Sequence, residues 1–455
     1  MARLLVINAV ALTEALLRRH APGWIERCRL CHLRPDVPAV TCTVQSSILT
    51  GSTPEQHGIV GNGWYNRELA EVQFWRQSNH LVRGEKIWQR ARRELPGFTC
   101  AQMFWWFNMY ADVDWSCTPR PCYPADGRKL PDFYSAPPEL KDKLARALGP
   151  FPLFKFWGPA TDITSTRWIA EATGFVMREH RPTLTLCYLP HLDYVLQREG
   201  PEGPSVGGHV HELIAEIEKL EAAAHDLGMR VLVLSEYGIA ACDKDIALNR
   251  LFRGRGWLSV RSELGRELLD PGASRVFAVA DHQIAHIYLN DPGLRDEVAG
   301  LLCAQSGVGE VYVGAERARI GLDSARAGDI VALARRGSWF SYYYWDDDRR
   351  APDFARTVDI HRKPGYDPAE LFLDPDLAWP KLAIARHILK VRLGLRSLLE
   401  VIPTHGTLVR GTHGRGDLAP AEGPVVLVEK DIPGTGEGSL DPRGVHALIL
   451  EILKS

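Results

Sequence analysis

The chain has 455 residues, 45% of them hydrophobic and 24% charged, with a formal net charge of −2. That length holds one large domain with insertions or two to three domains, and the composition is ordinary for a soluble globular enzyme. The near-neutral charge excludes the strongly basic surface of a chain built to hold a nucleic-acid polymer, and no apolar run is long enough to span a bilayer.

In chain order, "MARLLVINAVALTEALLRRH" opens with a buried parallel strand, RLLVIN. Asn8 and Glu14 interrupt the apolar run and no small-residue cleavage site follows, so it does not read as a secretory leader and a cytoplasmic location is expected. The nine cysteines, odd in number and scattered, suit reduced thiols. "CRLCH", Cys28 to His32, has the spacing of a c-type haem attachment; without an export signal the match is accidental. "PAVTCTVQSSILTG" at 38–51 runs from a β-like end into a short helix and places Thr41, Cys42 and Thr43 at the join. A helix cap and a catalytic nucleophile both suit that corner.

From about 63 to 160 the chain is rich in Trp, Tyr, Phe and Pro, as in "CAQMFWWFNMY" and "SCTPRPCYPADGRKLPDFY". This reads as an irregular aromatic insertion that lines a ligand cleft or simply packs. "TLTLCYL" at 183–189 and "MRVLVLS" at 229–235 are further buried strands. Between them Val210, Leu213, Ile214, Ile217 and Leu220 recur at helical spacing. Strand, amphipathic helix, strand is a βαβ unit, and it predicts an α/β fold with a doubly wound, mostly parallel sheet. A second insertion, about 260–400, alternates strand-like runs with a helix after Pro292 and reads as a cap. "GPVVLVEKD" and "VHALILEILK" return to the core pattern.

In such sheets ligands sit beyond the C-terminal strand ends. That singles out Asn8, Thr41, Asp193, Glu236 and Tyr237, with His413 in the Gly-rich turn "VRGTHGRGD".

The stretch "PAVTCTVQSSILTG" followed by "HGIVGNGWY" resembles the alkaline phosphatase superfamily, in its nucleotide pyrophosphatase/phosphodiesterase-like branch. The resemblance covers the core of nearly the whole chain and implies an alkaline phosphatase-like core with inserted cap segments, from 1 to 455. It implies Thr41 as nucleophile, with Thr43 a weaker candidate. It also implies that Asn62 and the Cys42 N–H hold a non-bridging phosphoryl oxygen. A helix start favours this chemistry, because its free N–H groups and dipole stabilise a phosphoryl anion. Cys42 lacks the C/S-x-P-x-R setting of sulfatases.

The resemblance also implies metal ligands, three Asp and three His beside the nucleophile, and here the chain departs from it. Asn8 stands for an Asp, and Asp193 is kept while Gln197 replaces a His. Glu236 and Tyr237 replace Asp-His, and His413 is kept. This set implies one or two divalent ions (Mg, Mn or Zn), oxygen-rich ligands favouring the harder ones. Replacement ligands are available in Asp281, His282, His286, His361 and His405, although a hydrogen-bonded structural role is the commoner fate of any one His. Arg362, Lys363 and Arg410 offer charge to a phosphate, with ion pairing the commoner role. Trp64, Tyr65, Trp105 and Trp106 would hold the apolar or base part of the substrate.

The expectation is a metal-dependent phosphohydrolase acting on a small phosphorylated substrate through a phosphothreonine. Two alternatives stand beside it. One is a catalytically degenerate binding or accessory protein on the same fold. The other is a superfamily member with changed diphosphate chemistry.

Overall fold

The computed structural model describes residues 1–432 and 438–455. A nine-stranded sheet forms its centre, in the order Ser439–Leu440, Cys28–Leu33, Val425–Glu429, Met229–Leu234, Arg3–Ala9, Leu184–Leu189, Cys100–Met103, Trp115–Pro119, Phe133–Ala136. Its middle is parallel: Arg3–Ala9 pairs in parallel with Leu184–Leu189 on one side and Met229–Leu234 on the other. Val425–Glu429 and Phe133–Ala136 run antiparallel to their neighbours. The central strands are continuous apolar runs because both faces are covered. The long helices Ile163–His180 and Val206–Asp226 pack on each other and on the sheet, while Thr41–Thr50 packs on Pro442–Lys454.

Register places the site. Asn8 lies opposite Tyr188 in one neighbouring strand and Leu234 in the other. The residues that follow those partners, Asp193 and Glu236, therefore leave the sheet at the same edge as Asn8.

A second apolar cluster is built around a four-stranded antiparallel sheet in the order Val276–Asp281, Ile284–Leu289, Ile330–Ala334, Val308–Val313. It comes from the stretch expected as a cap. The aromatic stretch at 63–160 differs from its expectation. Three of its segments, 100–103, 115–119 and 133–136, extend the main sheet, so much of it is core. The aromatic density hid the strands, because rings that pack between sheet and helix give no period-two alternation. No helix among the described residues is long and apolar enough to cross a membrane.

Candidate functional site

Thr41 is the first residue of the helix Thr41–Thr50, and the cap position before it is Val40, which offers no side-chain hydrogen bond. Thr41 is therefore not spent on capping. The N–H of Cys42, a first-turn group that the helix cannot satisfy itself, donates to Asn62 Oδ1 at 3.1 Å. Gly51, at φ 62°, ends the helix in a left-handed turn that suits glycine, just before the loop leading to Asn62. Asn62 is held in turn by Asp281: its N–H donates to Oδ2 at 2.7 Å and its Nδ2 to Oδ1 at 3.1 Å.

The Thr41 hydroxyl donates to Glu236 Oε1 at 2.7 Å. The other carboxylate oxygen, Oε2, accepts from Asn8 Nδ2 at 2.6 Å and from Gln45 Nε2 at 2.9 Å. Burial raises the Glu236 carboxyl to about 7, against the pull of its three hydrogen bonds. Gln45 was not singled out in the sequence. It lies one turn after Thr41 on the same helical face, a spacing that could have revealed it, and its Oε1 accepts the Trp106 N–H at 2.7 Å.

Facing this corner is a second set. The Tyr237 hydroxyl donates to Asp193 Oδ1 at 3.1 Å and lies 3.4 Å from the Thr41 oxygen. Gln197 Nε2 donates to Asp193 Oδ2 at 2.8 Å, and Gln197 Oε1 accepts from the Tyr366 hydroxyl at 2.8 Å. Burial raises Asp193 to about 7 as well, with Glu236 adding to the effect. His413 Nδ1 donates to the Ala39 carbonyl at 2.8 Å, which turns Nε2 toward Asp193 Oδ1, 4.0 Å away. Burial and the neighbouring His282 hold His413 neutral. The backbone just before it runs tight against the Asp193 helix: a Cβ on Gly411 would lie 2.0 Å from the Leu196 carbonyl.

Four rings then stack in series. Tyr237 lies on His413 with centroids 3.6 Å apart, His413 on His282 at 3.7 Å, and His282 on Tyr366 at 3.6 Å. His282 sits in the turn between two strands of the second sheet at φ 60° and donates from Nδ1 to Asp281 Oδ1 at 2.8 Å. Tyr366 is the other residue the sequence did not reveal. Nothing in "KPGYDP" marks it.

Asn8, Thr41, Cys42, Asn62, Asp193, Gln197, Glu236, Tyr237, Asp281, His282 and His413 thus form one buried network. The remaining candidates lie outside it. His286 uses both ring nitrogens on backbone, Nε2 to the Val60 carbonyl at 2.9 Å and Nδ1 to the Gly328 N–H at 3.2 Å, and has no lone pair left to bind an ion. His361 faces the Phe74 carbonyl and His405 the Thr407 hydroxyl. Trp105 is fully buried and donates to the Cys187 carbonyl, Tyr65 packs on Phe277 and Tyr288, and Trp64 lies under Arg326. These three rings are core, because each spends its polar or π-face contact on the protein. Trp106 borders the network through its N–H to Gln45. Lys363 is buried in an ion triad with Asp367 and Glu370, 2.7 Å from each, so it is not open to a substrate phosphate. Arg362 pairs with Asp353 and Arg410 with the Thr407 carbonyl.

The family is generally dependent on divalent metal ions. The side chains here, as they stand, do not fit the pair of cations that the resemblance implies. Every oxygen of Glu236 and Asp193 already accepts a proton from a protein donor. Tyr237 places an O–H between Thr41 and Asp193, 3.4 Å from the one and 3.1 Å from the other. Among the described residues, no three His, Cys, Asp or Glu ligand atoms of this network converge within 4.8 Å of one another.

The sequence pattern of type I phosphodiesterases/nucleotide pyrophosphatases matches residues 4–367. An uncharacterised pyrophosphatase/phosphodiesterase of Schizosaccharomyces pombe is 27% identical over 218 residues, which are 46% of this chain and 38% of the relative. The match thus spans less than half of that relative's length. Among solved structures, murine ectonucleotide pyrophosphatase/phosphodiesterase 5, in an inactive form in complex with AMP, superimposes with a TM-score of 0.59 at 15% identity, covering 100% of this chain and 95% of that one. Phosphonoacetate hydrolase from Sinorhizobium meliloti, in complex with phosphonoformate, gives 0.59 at 17% identity, covering 100% and 96%. At such identities the likeness is one of fold. The family pattern spans most of the chain, and the chain belongs to the type I phosphodiesterase/nucleotide pyrophosphatase family of the alkaline phosphatase superfamily.

Proposed function

We propose that the chain is a phosphoester or diphosphate hydrolase that uses Thr41 as nucleophile and Glu236 as its base, on a small phosphorylated substrate. One observation carries this reading: a threonine hydroxyl at a helix start, 2.7 Å from a buried carboxylate held at about 7. A base is most effective near the pH at which it works, and burial supplies that match. The Thr41 oxygen attacks phosphorus and its proton passes to Glu236. The bond to the leaving oxygen breaks, and the proton reaches that oxygen through solvent. Water then cleaves the phosphothreonine and releases the phosphoryl product. The Cys42 N–H, now on Asn62 Oδ1, is a first-turn donor available to a phosphoryl oxygen, and the Thr41 helix adds its dipole. No step is routed through a cation, for the reason of fit given above.

A second reading, a binding protein without turnover, is favoured by the Tyr237 hydroxyl set against the nucleophile. Turnover of bis-p-nitrophenyl phosphate, p-nitrophenyl phosphate and ATP separates the two, with intact-mass detection of a phosphorylated Thr41 peptide after rapid quench. Equal rates for wild type and Thr41→Ala on all three would leave only the second reading.

A further inference from the structure

On the far side of the helix His191–Glu199 from Asp193, three ligand atoms converge. His191 Nε2 lies 2.9 Å from His209 Nδ1 and 3.1 Å from Glu212 Oε2, and His209 Nδ1 is 3.4 Å from the same oxygen. His191 is buried, His209 half-buried and Glu212 exposed, so solvent reaches the group from one side. With Glu212 ionised, protons alone do not satisfy this triangle. If both rings donate to the carboxylate, two N–H groups face each other at 2.9 Å. If either ring donates to the other, the accepting lone pair also faces the carboxylate oxygen. Every arrangement leaves one edge repulsive, whereas a cation at the centre satisfies all three. Ligands about 2.0–2.1 Å from a tetrahedral zinc ion lie ~3.3 Å apart, close to what is seen.

We propose that His191, His209 and Glu212 form a binding site for one first-row divalent cation, zinc by its donor set, which clamps the helix His191–Glu199 to Val206–Asp226. Two imidazoles and one carboxylate leave an open position for water. The site is separate from the Thr41 network, so it stands or falls apart from the hydrolase reading. The test is zinc titration of the full chain by calorimetry after chelation and dialysis, with thermal unfolding and cobalt absorption alongside. The expected result is one equivalent bound, with a rise in Tm and tetrahedral cobalt bands. His209→Ala and Glu212→Gln should each weaken binding by tenfold or more, while Asp193→Asn/Glu236→Gln leaves it unchanged. No bound equivalent, or binding lost in Asp193→Asn/Glu236→Gln and kept in His209→Ala, would overturn the proposal.

A different observation carries a second inference. The helix Pro380–Arg392 buries no residue fully. Ala383 and Ile384 touch the cluster beneath, around Val401 and Ile402. Trp379, Leu382, Leu389 and Leu393, spaced to fall on one stripe, are 75%, 64%, 59% and 67% exposed, and Leu395 and Leu398 continue the apolar surface. From 379 to 399 there are five Lys or Arg (381, 386, 390, 392 and 396) and no Asp or Glu. An apolar stripe with a Trp, edged by cations alone, has the chemistry of the interface of an anionic bilayer. We infer that this segment docks the protein on an anionic lipid surface, lying in it rather than across it. Co-sedimentation with vesicles of phosphatidylcholine, with and without phosphatidylglycerol, tests this. Wild type should pellet with the anionic vesicles alone, and less in high salt. Leu389→Glu/Leu393→Glu should stay in the supernatant with an unchanged circular dichroism spectrum. Wild type remaining soluble with both vesicles, or a dimer in solution that this variant dissolves, would overturn it.

Discussion

The corner and the wall opposite it hold similar groups in opposite ways. At the corner, residues 41–62 hold Thr41, proposed as the nucleophile, the first-turn N–H and Asn62 within one short stretch, bonded to each other and to Asp281. The wall is gathered from residues 193, 197, 237, 282, 366 and 413, and its carboxylate accepts from hydroxyl and amide donors that carry no charge. The difference teaches that the setting of the Thr41 hydroxyl is built from one local stretch of chain. The wall facing it depends on residues drawn from distant parts of the chain, tied back to the corner through Asp281.

Breaking the corner gives the largest effect. Thr41→Ala should lower turnover of bis-p-nitrophenyl phosphate by about a thousandfold or more and abolish the phosphorylated peptide, with its unfolding midpoint near that of wild type. Glu236→Gln keeps the size and one acceptor but not the base. Its kcat/KM should fall roughly 100-fold, and the rise of rate with pH, centred near 7 in wild type, should disappear from the pH profile. At the wall the effects are smaller. Tyr237→Phe removes a donor that lowers the Asp193 carboxyl, so the Asp193 titration seen by carbon NMR should move further up, with about a tenfold change in kcat.

Two measurements sharpen the contrast without breaking either side. Asp193 and Glu236 are held at about 7 in the fold, above the ordinary 3.8 and 4.5. Between those limits the folded chain binds more protons than the unfolded one, so this contribution is complete at low pH and is lost as pH rises through 7. Tm should therefore fall between about pH 5 and 8, and the slope should flatten in Asp193→Asn/Glu236→Gln. Chelation should change the wild-type rate least, by less than about twofold. The set Asn8→Asp, Gln197→His, Glu236→Asp and Tyr237→His should create a site that takes up divalent ion in calorimetry beyond the one equivalent expected at His191, His209 and Glu212.

Much of this was legible beforehand. The parallel sheet follows from RLLVIN, TLTLCYL and MRVLVLS, and their ends place Asn8, Asp193 and Glu236 at one edge. Thr41 and Asn62 are readable because their relation is local. His286 and Trp105 were misplaced for a common reason: the sequence shows that a side chain can reach a ligand, not that a backbone carbonyl has already taken it. Tyr366 was invisible because its role depends on a turn more than 160 residues from Gln197. The strands at 100–103 and 115–119 were masked by aromatic residues that both a cleft and a core would use.

The stack of four rings couples distant parts of the chain energetically. Tyr237, His413, His282 and Tyr366 come from four separated parts of the chain and each shares a face with the next. Replacing any one of them opens a gap beside a buried polar group, whatever that change does for chemistry. Substitutions at the four positions therefore act non-additively, and a change at one has to be matched by a change at its neighbour.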